Sequence, residues 1–248
     1  MIRLLFGLTP LLLCACVSTS NGSGGARNDK DAAQANMQLG VAYMQQNNLP
    51  VAKEKLERAA KQAPRNADVH SALAYLYERL NQPKQAENEY RTALRLAPDN
   101  SEVSNNFAVF LCRNGHTEEA LKRFEAASQD RLYRTPWAAL TNAGVCLRGV
   151  KRFDEARASF ERALRMRPNH AEAAYQLADL QLNQQQPDAA SKTIDNFLTM
   201  AASPDLLLLG VRVANARGDR VQRESYARRL RRDYPNSAQV RALPELMQ

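Results

Sequence analysis

A chain of 248 residues, 44% of them hydrophobic, has enough apolar material for one or two ordinary domains or one repeat array. Aromatic residues at 6%, with 10 Gly and 11 Pro, exclude collagenous and low-complexity classes, and 4 Cys are too few for a disulfide scaffold of this size. The formal net charge of +8 admits acidic partners, but it bears on association and solubility, not on fold.

The chain opens on an address label. Arg3 and the amino terminus make a positive start, and Leu4 to Leu13 form an apolar run. That run of about ten residues is half the ~20 needed to span a bilayer, so it reads as the core of a signal peptide. It ends in Leu11-Leu12-Leu13-Cys14-Ala15-Cys16. This resembles the bacterial lipobox, in which Leu stands three before the lipidated Cys and a small residue one before it. Cys16 fits, with Leu13 and Ala15 in those places, whereas Cys14 would put Leu13 where a small residue is wanted. Residues 1–15 are therefore expected to be a lipoprotein signal peptide and Cys16 the acylated residue; the alternative is an ordinary signal peptide cut nearby. Val17 follows Cys16, and by resemblance to sorted lipoproteins the lack of Asp there implies the periplasmic face of the outer membrane. Residues 16–30 are rich in Gly, Ser and Asn and are expected to be a lipidated flexible tether.

From Ala33 the chain repeats itself with a period near 34. The first unit carries Leu39, Gly40, Tyr43, Ala52, Leu56, Ala59 and Pro64, and the second Leu73, Ala74, Tyr77, Ala86, Tyr90, Ala93 and Pro98. Phe107, Ala108, Leu111, Ala120, Phe124 and Ala127 follow in a third unit, which runs two residues long before Pro136. Ala143, Gly144, Leu147, Ala156, Phe160, Ala163 and Pro168 mark the fourth, and Leu177, Ala178, Ala190, Ile194 and Phe197 the fifth. A sixth is degenerate, with a turn at Gly218-Asp219, Leu230 in its second helix and Pro235 at its end. This set of positions resembles the tetratricopeptide repeat. Small residues stand where two helices cross, bulky ones fill the seam, and Pro50, Pro83 and Pro187 open second helices, where a missing N–H is harmless. Asn66, Asp99 and Asn169 are placed to cap the next first helix. The expected fold is all-α: a right-handed superhelical solenoid of about six repeats and about twelve helices over residues 31–240, with 241–248 as a C-terminal tail.

No chemistry-bearing motif accompanies the repeats. His70, His116 and His170 lack metal-ligand spacing, and neither a nucleophile elbow nor a phosphate loop is present. The expectation is a non-enzyme without cofactor or metal. Cys112 and Cys146 fall late in the first helices of adjacent repeats, which leaves two readings: a disulfide, or two buried free thiols. The last unit holds Arg212, Arg217, Arg220, Arg223, Arg228, Arg229, Arg231 and Arg232. They form either a solvated face or a contact for acidic partners or anionic envelope polymers. Nucleic acid is not an expected partner, since aromatic stacking platforms are missing.

Asn105-Asn106-Phe107-Ala108-Val109-Phe110-Leu111-Cys112, followed by Asn142-Ala143-Gly144-Val145-Cys146, resembles the PilF/PilW family of type IV pilus biogenesis lipoproteins. Phe107 and Ala108 depart from the family's Tyr and Gly while keeping size and burial. The resemblance implies a pilotin, which binds the pilus secretin subunit and promotes its outer-membrane localisation and multimerisation. The alternative is a repeat scaffold of an outer-membrane protein insertion complex or a peptidoglycan-enzyme adaptor. In such repeats the second, fifth, ninth, twelfth and thirteenth residues of the first helix face the groove. That picks out Met37, Val41, Met44, Tyr75 and Val109 as an apolar partner-binding stripe. The tether or a terminal helix lying over the stripe is the competing reading.

Overall fold

The structure of the protein, a computed structural model, describes residues 23–201 and 203–247. Among the described residues there are thirteen α-helices and no strand. They are α1 (Ser23–Gln45), α2 (Leu49–Gln62), α3 (Ala67–Arg79), α4 (Pro83–Leu96), α5 (Ser101–Arg113), α6 (Thr117–Gln129) and α7 (Pro136–Gly149). Then come α8 (Phe153–Met166), α9 (Ala171–Asn183), α10 (Pro187–Leu198), α11 (Pro204–Arg217), α12 (Arg220–Asp233) and α13 (Ala238–Leu246). The six helix pairs expected from the repeats are α1–α2 through α11–α12. The chain divides between Pro64 and Arg65 into two compact units, one holding the first repeat and the other the remaining five.

In the first unit α1 pairs with α2. Gly40 lies so close to α2 that an added Cβ would come within 2.6 Å of Leu56 Cγ. Helix α1 starts at Ser23, so residues 23–30 of the expected tether are helical. Extending an existing helix costs far less than nucleating one, and Ala32, Ala33, Gln34 and Ala35 supply the nucleus.

In the second unit each first helix packs on its own second helix and on the first helices before and after it: α3 on α5, α5 on α7, α7 on α9, α9 on α11. Every pair crosses at a small residue facing a bulky one sixteen residues on: Ala74 with Tyr90, Ala108 with Phe124, Gly144 with Phe160, Ala178 with Ile194, Gly210 with Tyr226. Each of the five bulky partners is at most 6% exposed. An ideal Cβ on Gly210 would stand 2.9 Å from the Tyr226 ring, and one on Gly144 would enter the Phe160 ring. Gly210 and Tyr226 show the sixth repeat to be more regular than its sequence suggested.

The turns inside the pairs are one device used six times. The backbone N–H groups of Asn48, Gln82, His116, Arg152, Gln186 and Asp219 each donate at 2.9 Å to the carbonyl five residues earlier. The preceding residue is left-handed in every case: Asn47, Asn81, Gly115, Lys151, Gln185 and Gly218 have φ between 56° and 83°. This is the bonding of a Schellman helix end.

Caps between the pairs are less uniform. Asn66 Oδ1 accepts from the N–H of Asp68 at 2.9 Å and of Val69 at 3.4 Å. Asn100, not Asp99, caps α5, accepting at 3.1 Å from Glu102 and Val103. Asn169 does not cap α9; the residue at that place is His170, whose side chain makes no cap bond. At the C-terminus most of the expected tail 241–248 is helical. It belongs to α13, which packs on α11 and α12 with Leu243 buried, covering apolar surface that the last repeat would otherwise expose. Among the described residues no helix is long and apolar enough to cross a membrane.

Candidate functional site

The five residues expected to form the binding stripe are shared between the two units. Met37 and Val41 are half-buried on α1, and Met44, in the last turn of that helix, is only 3% exposed. Met44 therefore does not face an open groove. Its counterpart in the next repeat explains why: Glu78 accepts a 2.7 Å hydrogen bond from the Tyr90 hydroxyl on α4, so the twelfth position looks toward the pair's own second helix. In the first unit the residue matching Tyr90 is the apolar Leu56, and burial suits a methionine there.

In the second unit Tyr75 on α3 is 44% exposed and Val109 on α5 half-buried. Val145 on α7, which the sequence reading did not name, continues the row at 40% exposure. It holds the ninth place of its repeat, and counting one repeat further would have found it. The row ends at α9. There Asp179 receives Arg148 at 3.2 Å and Arg212 at 3.6 Å, so the apolar stripe gives way to an ion-paired carboxylate.

Helices α5 and α7 are tied on both sides of this row. Asn142 Nδ2 donates to Asn105 Oδ1 at 3.1 Å, and Asn105 is 6% exposed, a buried link and not a groove residue. Toward the other end Cys112 and Cys146 are joined by a disulfide with Cα atoms 5.8 Å apart. Val109 and Val145 lie in sequence between these two ties. Beneath α5 the Phe107 ring is fully buried, stacked 5.3 Å from Tyr90, with the Arg123 guanidinium 4.8 Å from its centroid. The Asn and Cys segments thus do one physical job: they hold two neighbouring first helices in fixed register, so that their outward residues form a preset surface.

Repeats of this kind match the tetratricopeptide-repeat models over residues 79–142 and 147–198, and over 26–67 and 37–101. The type IV pilus assembly protein PilF of Pseudomonas aeruginosa is 35% identical over 229 residues, 91% of this chain and 90% of PilF. The chain belongs to the PilF/PilW family. The solved PilF structure from Pseudomonas aeruginosa superposes with a TM-score of 0.67 at 34% identity, covering 88% of this chain and 99% of that one. PilW, described as a widely conserved type IV pilus biogenesis factor, gives 0.68 at 28% identity, covering 86% and 98%. This is a tetratricopeptide-repeat protein of a type IV pilus biogenesis family.

The remaining candidates fall as follows. Cys16, Cys14 and the expected signal peptide lie outside the described residues. Among the described residues no group of three or more His, Cys, Asp or Glu side chains could hold a metal ion. The histidines are scattered: His70 Nδ1 is 2.6 Å from Glu89, His116 is exposed, and His170 has its pKa lowered by burial. Of the C-terminal arginines, Arg217 pairs with Asp188 at 2.8 Å and Arg229 with Asp233 at 3.4 Å. Arg232 also reaches Asp233, at 2.7 Å. Much of that charge is used inside the unit.

Proposed function

We propose that this protein is a pilotin: an outer-membrane lipoprotein, acylated on Cys16 and held at the periplasmic face. It binds the type IV pilus secretin subunit and promotes the subunit's outer-membrane localisation and multimerisation, catalysing nothing. Likeness to PilF along nine-tenths of the chain supports the pilus role. The observation that carries the binding role is the row Tyr75, Val109 and Val145, whose last two members stand on the tied helices α5 and α7. Apolar side chains fixed on tied helices lose little freedom on docking, so a partner's hydrophobic face gains more from covering them. Met37 and Val41 offer further half-buried apolar surface on α1.

Affinity capture from solubilised membranes tests the reading directly. The secretin is expected as the dominant partner of the wild-type protein, and its ring is expected to be lost from outer-membrane fractions of a deletion strain. Capture of an outer-membrane protein insertion complex or a peptidoglycan enzyme, with no secretin, would transfer the protein to the scaffold alternative.

A further inference from the structure

The α6–α7 and α8–α9 connections lie side by side in the second unit, since the Arg167 guanidinium sits 4.5 Å from the centroid of the Trp137 ring. The first reads Arg131-Leu132-Tyr133-Arg134, and the second opens at Arg167 directly after Arg165-Met166, the last two residues of α8. Each presents an apolar side chain flanked by arginines. Leu132 is 91% exposed, more than any other large hydrophobic residue described, and Met166 is 51% exposed.

Leu132 does not hang on a loose loop. Asp130 Oδ1 accepts from the Leu132 N–H at 2.8 Å, and Asp130 Oδ2 accepts from Ser101 Oγ at 2.6 Å. These bonds hold the Asp130 carboxyl below the ordinary carboxylate range. Tyr133, half-buried, packs against the α5–α6 core, so the loop is braced on both sides of the exposed leucine. The arginines are also unlike those elsewhere. Elsewhere in the unit Arg91, Arg123, Arg152 and Arg162 have glutamate partners at 2.5–2.9 Å. Arg131, Arg134 and Arg165 are exposed and have no carboxylate partner among the described residues.

We propose that this edge of the second unit docks on an anionic phospholipid surface, with Leu132 and Met166 entering the headgroup region and the arginines meeting phosphates. Guanidinium groups pair with phosphate oxygens bidentately, and aliphatic tips between them gain by leaving water. An acidic protein would satisfy the arginines but would need a fitted pocket for each of two separate apolar tips. A bilayer accepts both without one. The edge is distinct from the Tyr75–Val109–Val145 row, and the proposal does not depend on the secretin.

The test uses the full chain titrated with vesicles of phosphatidylcholine alone or with about 30% phosphatidylglycerol, at low salt and at about 0.5 M NaCl. Variants share the same N-terminal segment, so whatever that segment contributes is common to all. Trp137, the only tryptophan of the chain, lies beside the two connections and reports contact by a blue shift and protection from aqueous quencher. Wild type is expected to favour anionic vesicles at least tenfold, an advantage lost at high salt, with Trp137 shifting. Arg131→Gln/Arg134→Gln/Arg165→Gln should remove the preference, at about fivefold for each arginine. Leu132→Ser alone, which leaves the charges in place, should weaken binding severalfold with unchanged circular dichroism. Equal affinity for both vesicles, or a Trp137 emission blind to bound vesicles, overturns the proposal. So does polyglutamate binding that Leu132→Ser leaves intact while vesicles are ignored, which would assign the edge to an acidic polypeptide.

Discussion

At the residue scale the fold depends on six crossings where a small side chain meets a large one, and they are not equally tight. Gly144 cannot take a Cβ without displacing the Phe160 ring, whereas Gly149, at the end of the same helix, has nothing within 4 Å of the added atom. Gly144→Ala should therefore destabilise the protein by about 1–3 kcal/mol through overpacking. Gly149→Ala should be neutral or slightly stabilising by helix propensity. Denaturant midpoints of the two variants, identical in composition, check this; equal midpoints would remove the crossing argument. Burial and a carboxylate neighbour also mark two tyrosines of these crossings. Tyr90 beside Glu78 and Tyr226 beside Asp195 have pKa values raised well above the ordinary phenol range, by burial first and then by the carboxylate. The folded state thus keeps protons that the unfolded chain gives up near pH 10, so the stability these groups contribute is whole below that pH and declines above it. Tyr90→Phe/Tyr226→Phe should lose about 0.5–1.5 kcal/mol per hydrogen bond at neutral pH, while flattening the fall in melting temperature between about pH 10 and 11.

At the element scale the same helix end recurs six times, and two copies carry the wrong residue for it. Lys151 at φ 63° and Gln185 at φ 57° hold a conformation that favours Gly or Asn. Lys151→Gly should stabilise the turn by about 0.5–1 kcal/mol, the relief of strain exceeding the added freedom of the unfolded chain. A lowered melting temperature would mean that the lysine side chain contributes more than the backbone strain costs. The α5–α7 tie makes a second demand on this scale. Its disulfide closes a loop with a sequence separation of 34, so reduction should cost about 2–4 kcal/mol and loosen the Val109–Val145 surface. Non-reducing peptide mapping should recover Cys112 joined to Cys146; full alkylation without reductant would dismiss the bridge. The helix pairs themselves were legible because a small residue and a bulky one sixteen later can be counted in a string. The starts and ends were not. Ser23–Lys30 reads as linker by composition yet continues a helix nucleated downstream, and α13 is helical because it covers the end of the stack, a reason no local pattern carries.

On the scale of the whole molecule, the candidate site was half legible. Periodicity named Tyr75 and Val109 and pointed past them to Val145. It misplaced Met44, because whether that position faces a groove or a packing partner depends on what the second helix carries at that height. That correction decides which variants can test partner binding. A Met44→Glu substitution would bury a charge and report on folding, not on recognition. Tyr75→Glu/Val145→Glu changes exposed residues of the row and leaves both α5–α7 ties in place. Each apolar side chain covered by a partner contributes roughly 1.5–3 kcal/mol before ordering costs, so two acidic replacements should reduce a micromolar contact below detection. Arg220→Glu/Arg223→Glu/Arg231→Glu reverses charge at the other end of the same unit, and secretin capture should survive it, as expected of a solvated face. Cys16→Ala should release the protein from the outer-membrane fraction without changing capture in solution, because anchor and row are separate parts of the chain, while Cys14→Ala should leave it anchored. The pattern of the four variants carries the discrimination. Loss of capture in the arginine variant, with circular dichroism unchanged and the Tyr75/Val145 variant still binding, would move the partner site from the row to the C-terminal repeat.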